Sequence, residues 1–189
     1  MTGETRVAAT PETTKKFISL GCSVTIEKGA GLSSGFADED YKTVGGEIVA
    51  QGDSPSWGLA NLVLCVQCPR NEYLAMMKPG ALLVGLLNPY NNESLVTELQ
   101  AKKISALALE LLPRISRAQS ADALSSQANI AGYKAVLIAA SALDRYFPML
   151  MTAAGTVQPA KVVVLGAGVA GLQAVATAKR LGAVVFVSD

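Results

Sequence analysis

The stretch Lys161-Val162-Val163-Val164-Leu165-Gly166-Ala167-Gly168-Val169-Ala170-Gly171 decides the fold. Val162 to Leu165 is a short, unbroken run of branched apolar residues, the pattern of a strand covered on both faces in a parallel sheet. The glycines follow immediately, and a helix from Val169 to Leu181 comes next, so the Gly-x-Gly-x-x-Gly motif lies between a strand and a helix. Ala183 to Ser188 then reads as a second strand. It leads to Asp189, eighteen residues after Gly171.

That arrangement has a physical logic. Gly166 permits a tight turn, Gly168 lets backbone approach a pyrophosphate, and Gly171 lets helix and strand pack closely. The amides from Gly166, Ala167, Gly168 and Val169 into the helix offer N–H donors and a positive dipole end to phosphate. An acid at the tip of the second strand accepts hydrogen bonds from ribose hydroxyls and repels a 2′-phosphate, so Asp189 points to NAD(H) rather than NADP(H).

Working back toward the N-terminus, the chain shows a repeated strand and helix rhythm. Thr10-Pro11-Glu12 opens a helix that Leu20-Gly21 closes. Cys22 to Glu27 alternates as a strand, Gly29 to Gly31 turns, Asp38 to Thr43 is a short helix, and Glu47 to Ala50 is a brief strand. Asn61 to Val66, Ala81 to Leu87 and Ile104 to Leu109 read as buried strands, separated by helices over Asn71 to Met77 and Asn92 to Lys103. Glu110 to Ser126 is polar and without period. Ser126 to Leu143 reads as a helix with its apolar face at Ile130, Tyr133, Leu137, Ile138 and Ala140, and the loop through Gly155 and Pro159 feeds the next strand.

The expected architecture is α/β, with two Rossmann-like, doubly wound parallel-sheet domains. Residues 1–112 form the first, flavodoxin-like and without its opening strand. Residues 113–189 supply a linking helix and the first strand–helix–strand unit of the second, which is incomplete in this chain. An isolated polypeptide of this sequence is expected to expose an apolar sheet edge near Ala183 to Val187, and to bind NADH weakly or aggregate.

Composition narrows the function. Half of the 189 residues are hydrophobic, and 16 basic against 15 acidic residues leave a net charge of +1. No Lys and Arg run tracks a phosphate backbone, which argues against nucleic acid. Met1 to Thr14 carries no signal peptide, and Val162 to Ala178 is interrupted by glycines and polar residues, so it does not read as a membrane span. Cys22, Cys65 and Cys68 fall in or beside strand-like runs and read as buried, reduced thiols. Cys65 and Cys68 form a lone CxxC with no histidine to complete a zinc shell, so no metal site is expected.

The run Pro113-Arg114-Ile115-Ser116-Arg117-Ala118-Gln119-Ser120, with Asp122, Leu124 to Gln127, Asn129 and Ala131 to Tyr133, closely resembles the NAD(H)-binding domain of the alpha subunit of proton-translocating NAD(P) transhydrogenases. The likeness continues through Met151 to Val157 and the glycine motif, and more loosely back to Glu4 to Ala8 and Thr10 to Glu12. The resemblance implies that Arg114, Ser116, Gln119, Asp122 and Ser125 line the nicotinamide end of the cofactor. Gly166, Ala167, Gly168, Val169, Gly171 and Asp189 would hold the pyrophosphate and adenosine ribose.

It also implies hydride transfer between NADH and NADP⁺ held on another domain, coupled to proton movement, with no catalytic side chain. The implied partners are an NADP(H)-binding domain or beta subunit, a membrane domain and a second copy in a homodimer. The implied location is peripheral, on the cytoplasmic side of a membrane, with the isolated domain soluble. Alanine dehydrogenase is a relative whose family pattern uses a histidine and a lysine near the substrate. Here there is no histidine, and Gln67 stands where that lysine would be. Arg6 matches a substrate-carboxylate arginine of those enzymes, or serves as an ordinary ion-pair partner. A non-catalytic NAD-binding module is the third reading, and the polar set from Arg114 to Ser125 argues against it.

Overall fold

The structure is a computed structural model in which residues 3–189 are described. The chain divides into two compact units, one ending at Pro113 and one spanning Arg114–Asp189.

In the first unit, helix α1 (Pro11–Ser19) starts where the sequence predicts, because Thr10 and Thr13 form a reciprocal capping box. Strands β1 (Thr25–Glu27) and β2 (Glu47–Val49) pair in parallel around α2 (Asp38–Thr43). Both strands are shorter than expected: β1 lacks Cys22 to Val24, and Cys22, expected to be buried, is exposed just beyond α1. Helix α3 (Ser54–Leu59) is absent from the sequence-based expectation, although Asp53 caps it by accepting the Ser56 N–H at 3.0 Å and Pro55 lies in its first turn.

Strands β3 (Leu62–Gln67), β4 (Leu82–Leu86) and β5 (Ser105–Ala108) form a parallel sheet in that order, joined through α4 (Asn71–Met76) and α5 (Glu93–Ala101). Leu74, Met77, Leu83, Leu87, Leu95, Leu99 and Ile104 pack into its core. The expectation of strands covered on both faces is only partly met, since Leu62, Leu82 and Leu107 keep a third or more of their surface exposed.

In the second unit, helix α6 (Ala123–Ala142) begins three residues earlier than expected, because Asp122 caps it. Its packed face is only partly the one read from bulk, since of the expected residues Ala140 packs on the core. Gly132 and Val136 are buried, whereas Ile130 and Ile138 are more than half exposed. The reason is steric: a Cβ at Gly132 would lie 2.1 Å from the Ala170 carbonyl oxygen, so α6 meets its neighbour through its smallest residue. The segment read as a loop through Gly155 is an antiparallel hairpin of β6 (Leu150–Thr152) and β7 (Gly155–Val157). Its turn residues Ala153 and Ala154 carry none of the Asn-Gly signature that marks such hairpins.

Strand β8 (Lys161–Leu165), helix α7 (Val169–Arg180) and strand β9 (Val184–Ser188) complete the unit, with β8 and β9 parallel and Val163 opposite Phe186. Val136, Phe147, Ala160, Ala178, Val162 and Val185 pack on one side of this sheet. The alternate residues Val163, Leu165, Val184 and Phe186 are exposed, so β8 shows period-two alternation where coverage on both faces was expected, whereas in β9 Val187 is exposed as well. Among the described residues, no helix is long and apolar enough to cross a membrane.

Candidate functional site

The glycine turn is built as its residue types require. Gly166 has φ +96°, a conformation that side chains with a Cβ rarely adopt. Its N–H donates to the Ser188 carbonyl at 2.7 Å, extending the β8–β9 ladder to the end of β9. Asp189 is the next residue, so the chain brings the acid to the strand tip beside the turn. A Cβ at Gly171 would lie 1.8 Å from the Gly166 carbonyl oxygen, which makes that glycine obligatory for packing turn against helix.

Gly168 behaves differently. Its φ of −69° is open to any residue, and a Cβ there meets nothing within 4 Å. Among the described residues, nothing requires a glycine at this position. It caps α7 without a side-chain hydrogen bond, and the first helical bond runs from the Leu172 N–H to the Gly168 carbonyl at 2.8 Å. The amides before Leu172 therefore have no carbonyl four residues back within the helix, and the first turn contains no acidic residue to neutralise its dipole. Ala167 and Val169 flank this open stretch. The donor set and the open space suit a close-lying phosphate group.

The polar loop has a partial order of its own. A 3₁₀ stretch, Ser116–Ala121, carries Ser116 and Gln119, both exposed, and leads into Asp122. The Asp122 carboxylate accepts the Ser125 N–H at 2.9 Å and the Ser125 hydroxyl at 2.6 Å. These bonds, aided by the Arg114 charge, hold its pKa below the usual carboxylate value. The structure thus joins Asp122 and Ser125, and their bond caps α6. Arg114 is exposed. The connection from this pair to the glycine turn runs through α6. There Gly132 abuts Ala170, and Asn129 Nδ2 donates to Gln173 Oε1 at 3.2 Å. Gln173 continues the string to Thr177, its Nε2 lying 3.2 Å from the Thr177 hydroxyl. Sequence reasoning misses Gly132, whose only signal is a glycine inside a helical pattern.

In the first unit, Arg6 and Gln67 both meet Glu4. Arg6 Nε donates to Glu4 Oε1 at 2.8 Å, and Gln67 Nε2 donates to Glu4 Oε2 at 2.7 Å. Cys65 is packed against Gly85, where a Cβ would lie 2.5 Å from its sulfur, and burial pushes its thiol up to about 12. Such a thiol stays protonated and unreactive near neutral pH. No cluster of three or more His, Cys, Asp or Glu suited to a metal ion occurs among the described residues.

Parallel strands, crossover helices and a glycine turn opening a helix define a Rossmann-like α/β protein. The chain belongs to the alanine dehydrogenase/PNT family, whose N-terminal domain pattern matches residues 1–131 and whose C-terminal domain pattern matches residues 135–189. It is 50% identical over 192 aligned positions to an NAD(P) transhydrogenase subunit alpha protein of Rhodospirillum rubrum, covering 99% of this chain and 50% of that protein. The solved transhydrogenase of Sinorhizobium meliloti superposes with a TM-score of 0.94 at 46% identity, over 100% of this chain and 56% of that one. An L-alanine dehydrogenase structure follows with a TM-score of 0.83 at 30% identity, over 98% of this chain and 51% of that one. The chain thus spans about half the length of these relatives.

Proposed function

We propose that this chain supplies the NAD(H)-binding part of a proton-translocating NAD(P) transhydrogenase. The observation that carries the reading is the contrast inside the glycine turn: Gly171 is demanded by packing, whereas a Cβ at Gly168 would meet nothing within 4 Å among the described residues. A glycine kept where the chain itself does not need one fits a backbone that a diphosphate approaches closely.

In this reading the amides of Ala167, Gly168 and Val169 hold the pyrophosphate, with Gly166 and Gly171 shaping the turn. Asp189 accepts hydrogen bonds from the adenosine ribose and disfavours a 2′-phosphate. Arg114, Ser116, Gln119, Asp122 and Ser125 orient the carboxamide and ribose at the nicotinamide end through hydrogen bonds. Bound NADH would supply a hydride, passed to NADP⁺ on an NADP(H)-binding domain or beta subunit. These side chains need only position the ring and exclude water, since the transfer requires no acid or base from the protein. The chain contains no histidine to serve as one.

The wider assembly follows from the same reading: a membrane domain that couples transfer to proton movement, a homodimer of this unit, and a peripheral position on the cytoplasmic side. The test is hydride exchange between NADH and an NADP analogue by the full-length protein with its partner domain supplied. Exchange at a rate well above the mixture lacking this protein is expected. Alanine-dependent reduction of NAD without such exchange would assign the chain to the dehydrogenase branch, and NAD binding with neither activity would make it a non-catalytic module.

A further inference from the structure

Helices α6 and α7 pass each other in opposite directions. Gly132 of α6 abuts Ala170 of α7, while Asn129, three residues earlier, bonds Gln173, three residues later. Ser125, Asn129, Gly132 and Val136 follow the spacing of one helical face, as Ala170, Gln173 and Thr177 do on α7.

The contacts on these faces do different things. Neither Gly132 nor Ala170 carries a side chain beyond Cβ, and Val136 packs in the core with Ala174 and Ala178, which are as small. Such a surface brings the helix axes close but offers few knobs to stop one helix from sliding along the other. The hydrogen bond is directional, so it fixes position along the axis. Its geometry is set from within α7. Gln173 Nε2 donates to the Thr177 hydroxyl at 3.2 Å, and that hydroxyl donates to the Gln173 carbonyl at 2.8 Å, with Thr177 buried. The amide is therefore turned with its oxygen toward α6, where only a donor can meet it; Asn129 Nδ2 does so at 3.2 Å.

We propose that Asn129 and Gln173 are positioning residues for hydride transfer. Their bond sets the span between the amides at the start of α7 and the Asp122–Ser125 pair at the start of α6, and hence the aim of the nicotinamide ring once the pyrophosphate is held. The proposal rests on the transhydrogenase reading, and both side chains lie outside the cofactor contacts of that reading. The bond is at the surface, so water replaces either partner when it is removed and the fold loses little. Hydride transfer is less forgiving, because the reacting atoms must meet at about 3 to 3.5 Å and a misplacement of about 1 Å costs up to about a hundredfold.

Asn129→Leu keeps the approximate shape of the side chain and removes its donor; Asn129 is exposed and leucine is the better helix former, so the variant folds. In the full-length protein with its NADP(H)-binding partner supplied, hydride exchange at saturating nucleotides is expected to fall about tenfold. Affinity for ADP-ribose, which contains the phosphates but no nicotinamide, and the denaturant midpoint should both stay unchanged. Gln173→Met should reproduce this split, and the double variant should be no slower than either single one, because all three lack the same bond. An unchanged exchange rate in Asn129→Leu, losses that multiply in the double variant, or a fall in ADP-ribose affinity matching the fall in rate would each overturn the proposal. No exchange by the natural protein would defeat the transhydrogenase reading and the proposal together, whereas exchange indifferent to Asn129→Leu defeats the proposal alone.

Discussion

Two of the three parallel sheets end in opposite ways. At the carboxyl ends of β3, β4 and β5 the protein covers its own backbone. Gln67 reaches Glu4, and the Asn88 N–H donates to Glu110. At the carboxyl end of β8 there is a bend of glycine, a helix start with no side-chain cap and, at Gly168, empty space. At the first end side chains bond across the strand tips; the second keeps donors without partners inside its own helix. Since unpaired amides are costly unless water or a ligand meets them, the second is where this fold leaves room for an anion.

That contrast can be broken most forcefully at Gly171. With its would-be Cβ 1.8 Å from the Gly166 carbonyl oxygen, Gly171→Ala should destabilise the second unit by about 3 kcal/mol, as overpacking against rigid backbone does. A denaturant melt of the full-length protein reads this directly, and an unchanged midpoint would mean that turn and helix are not held as described. Gly168→Ala separates binding from folding. Stability should stay within about 0.5 kcal/mol, because the added methyl meets nothing. NADH affinity should nevertheless fall about tenfold, the loss of roughly one charge-assisted hydrogen bond, as measured by fluorescence titration. If affinity and stability both hold, the open space is not where the pyrophosphate lies.

The smallest expected effect is at Asp189. Asp189→Ala should weaken NADH by about threefold to tenfold while leaving NADPH the same or slightly improved, narrowing the preference between them. Parallel titrations with both nucleotides decide it; identical losses for both would show that the acid does not read the ribose.

How much of the molecule is legible in its sequence depends on which physical signal each region uses. Strand β8 and helix α7 announce themselves because branched apolar residues, glycines and a helical period follow one another without a break, and they appear within a residue of the expected bounds. The face of α6 is misread because hydrophobicity marks bulk, whereas this contact is made by the absence of bulk at Gly132. The β6–β7 hairpin escapes notice because Ala153-Ala154 is not a turn dipeptide that a sequence advertises. In the polar loop, the family resemblance singles out Asp122 and Ser125, which the structure shows bonded to each other. Only coordinates could reveal that their mutual bonds also start a helix. The meeting of Arg6 and Gln67 at Glu4 needs three dimensions too, since Gln67 is remote in sequence.

The near-contact of Gly132 with the Ala170 carbonyl carries a mechanical consequence. Helices that touch through side chains have a cushion that rotates and yields, but here backbone rests almost on backbone. The start of α6, which Asp122 caps, and the first turn of α7 are therefore held at a separation that leaves no room for even a methyl group at Gly132.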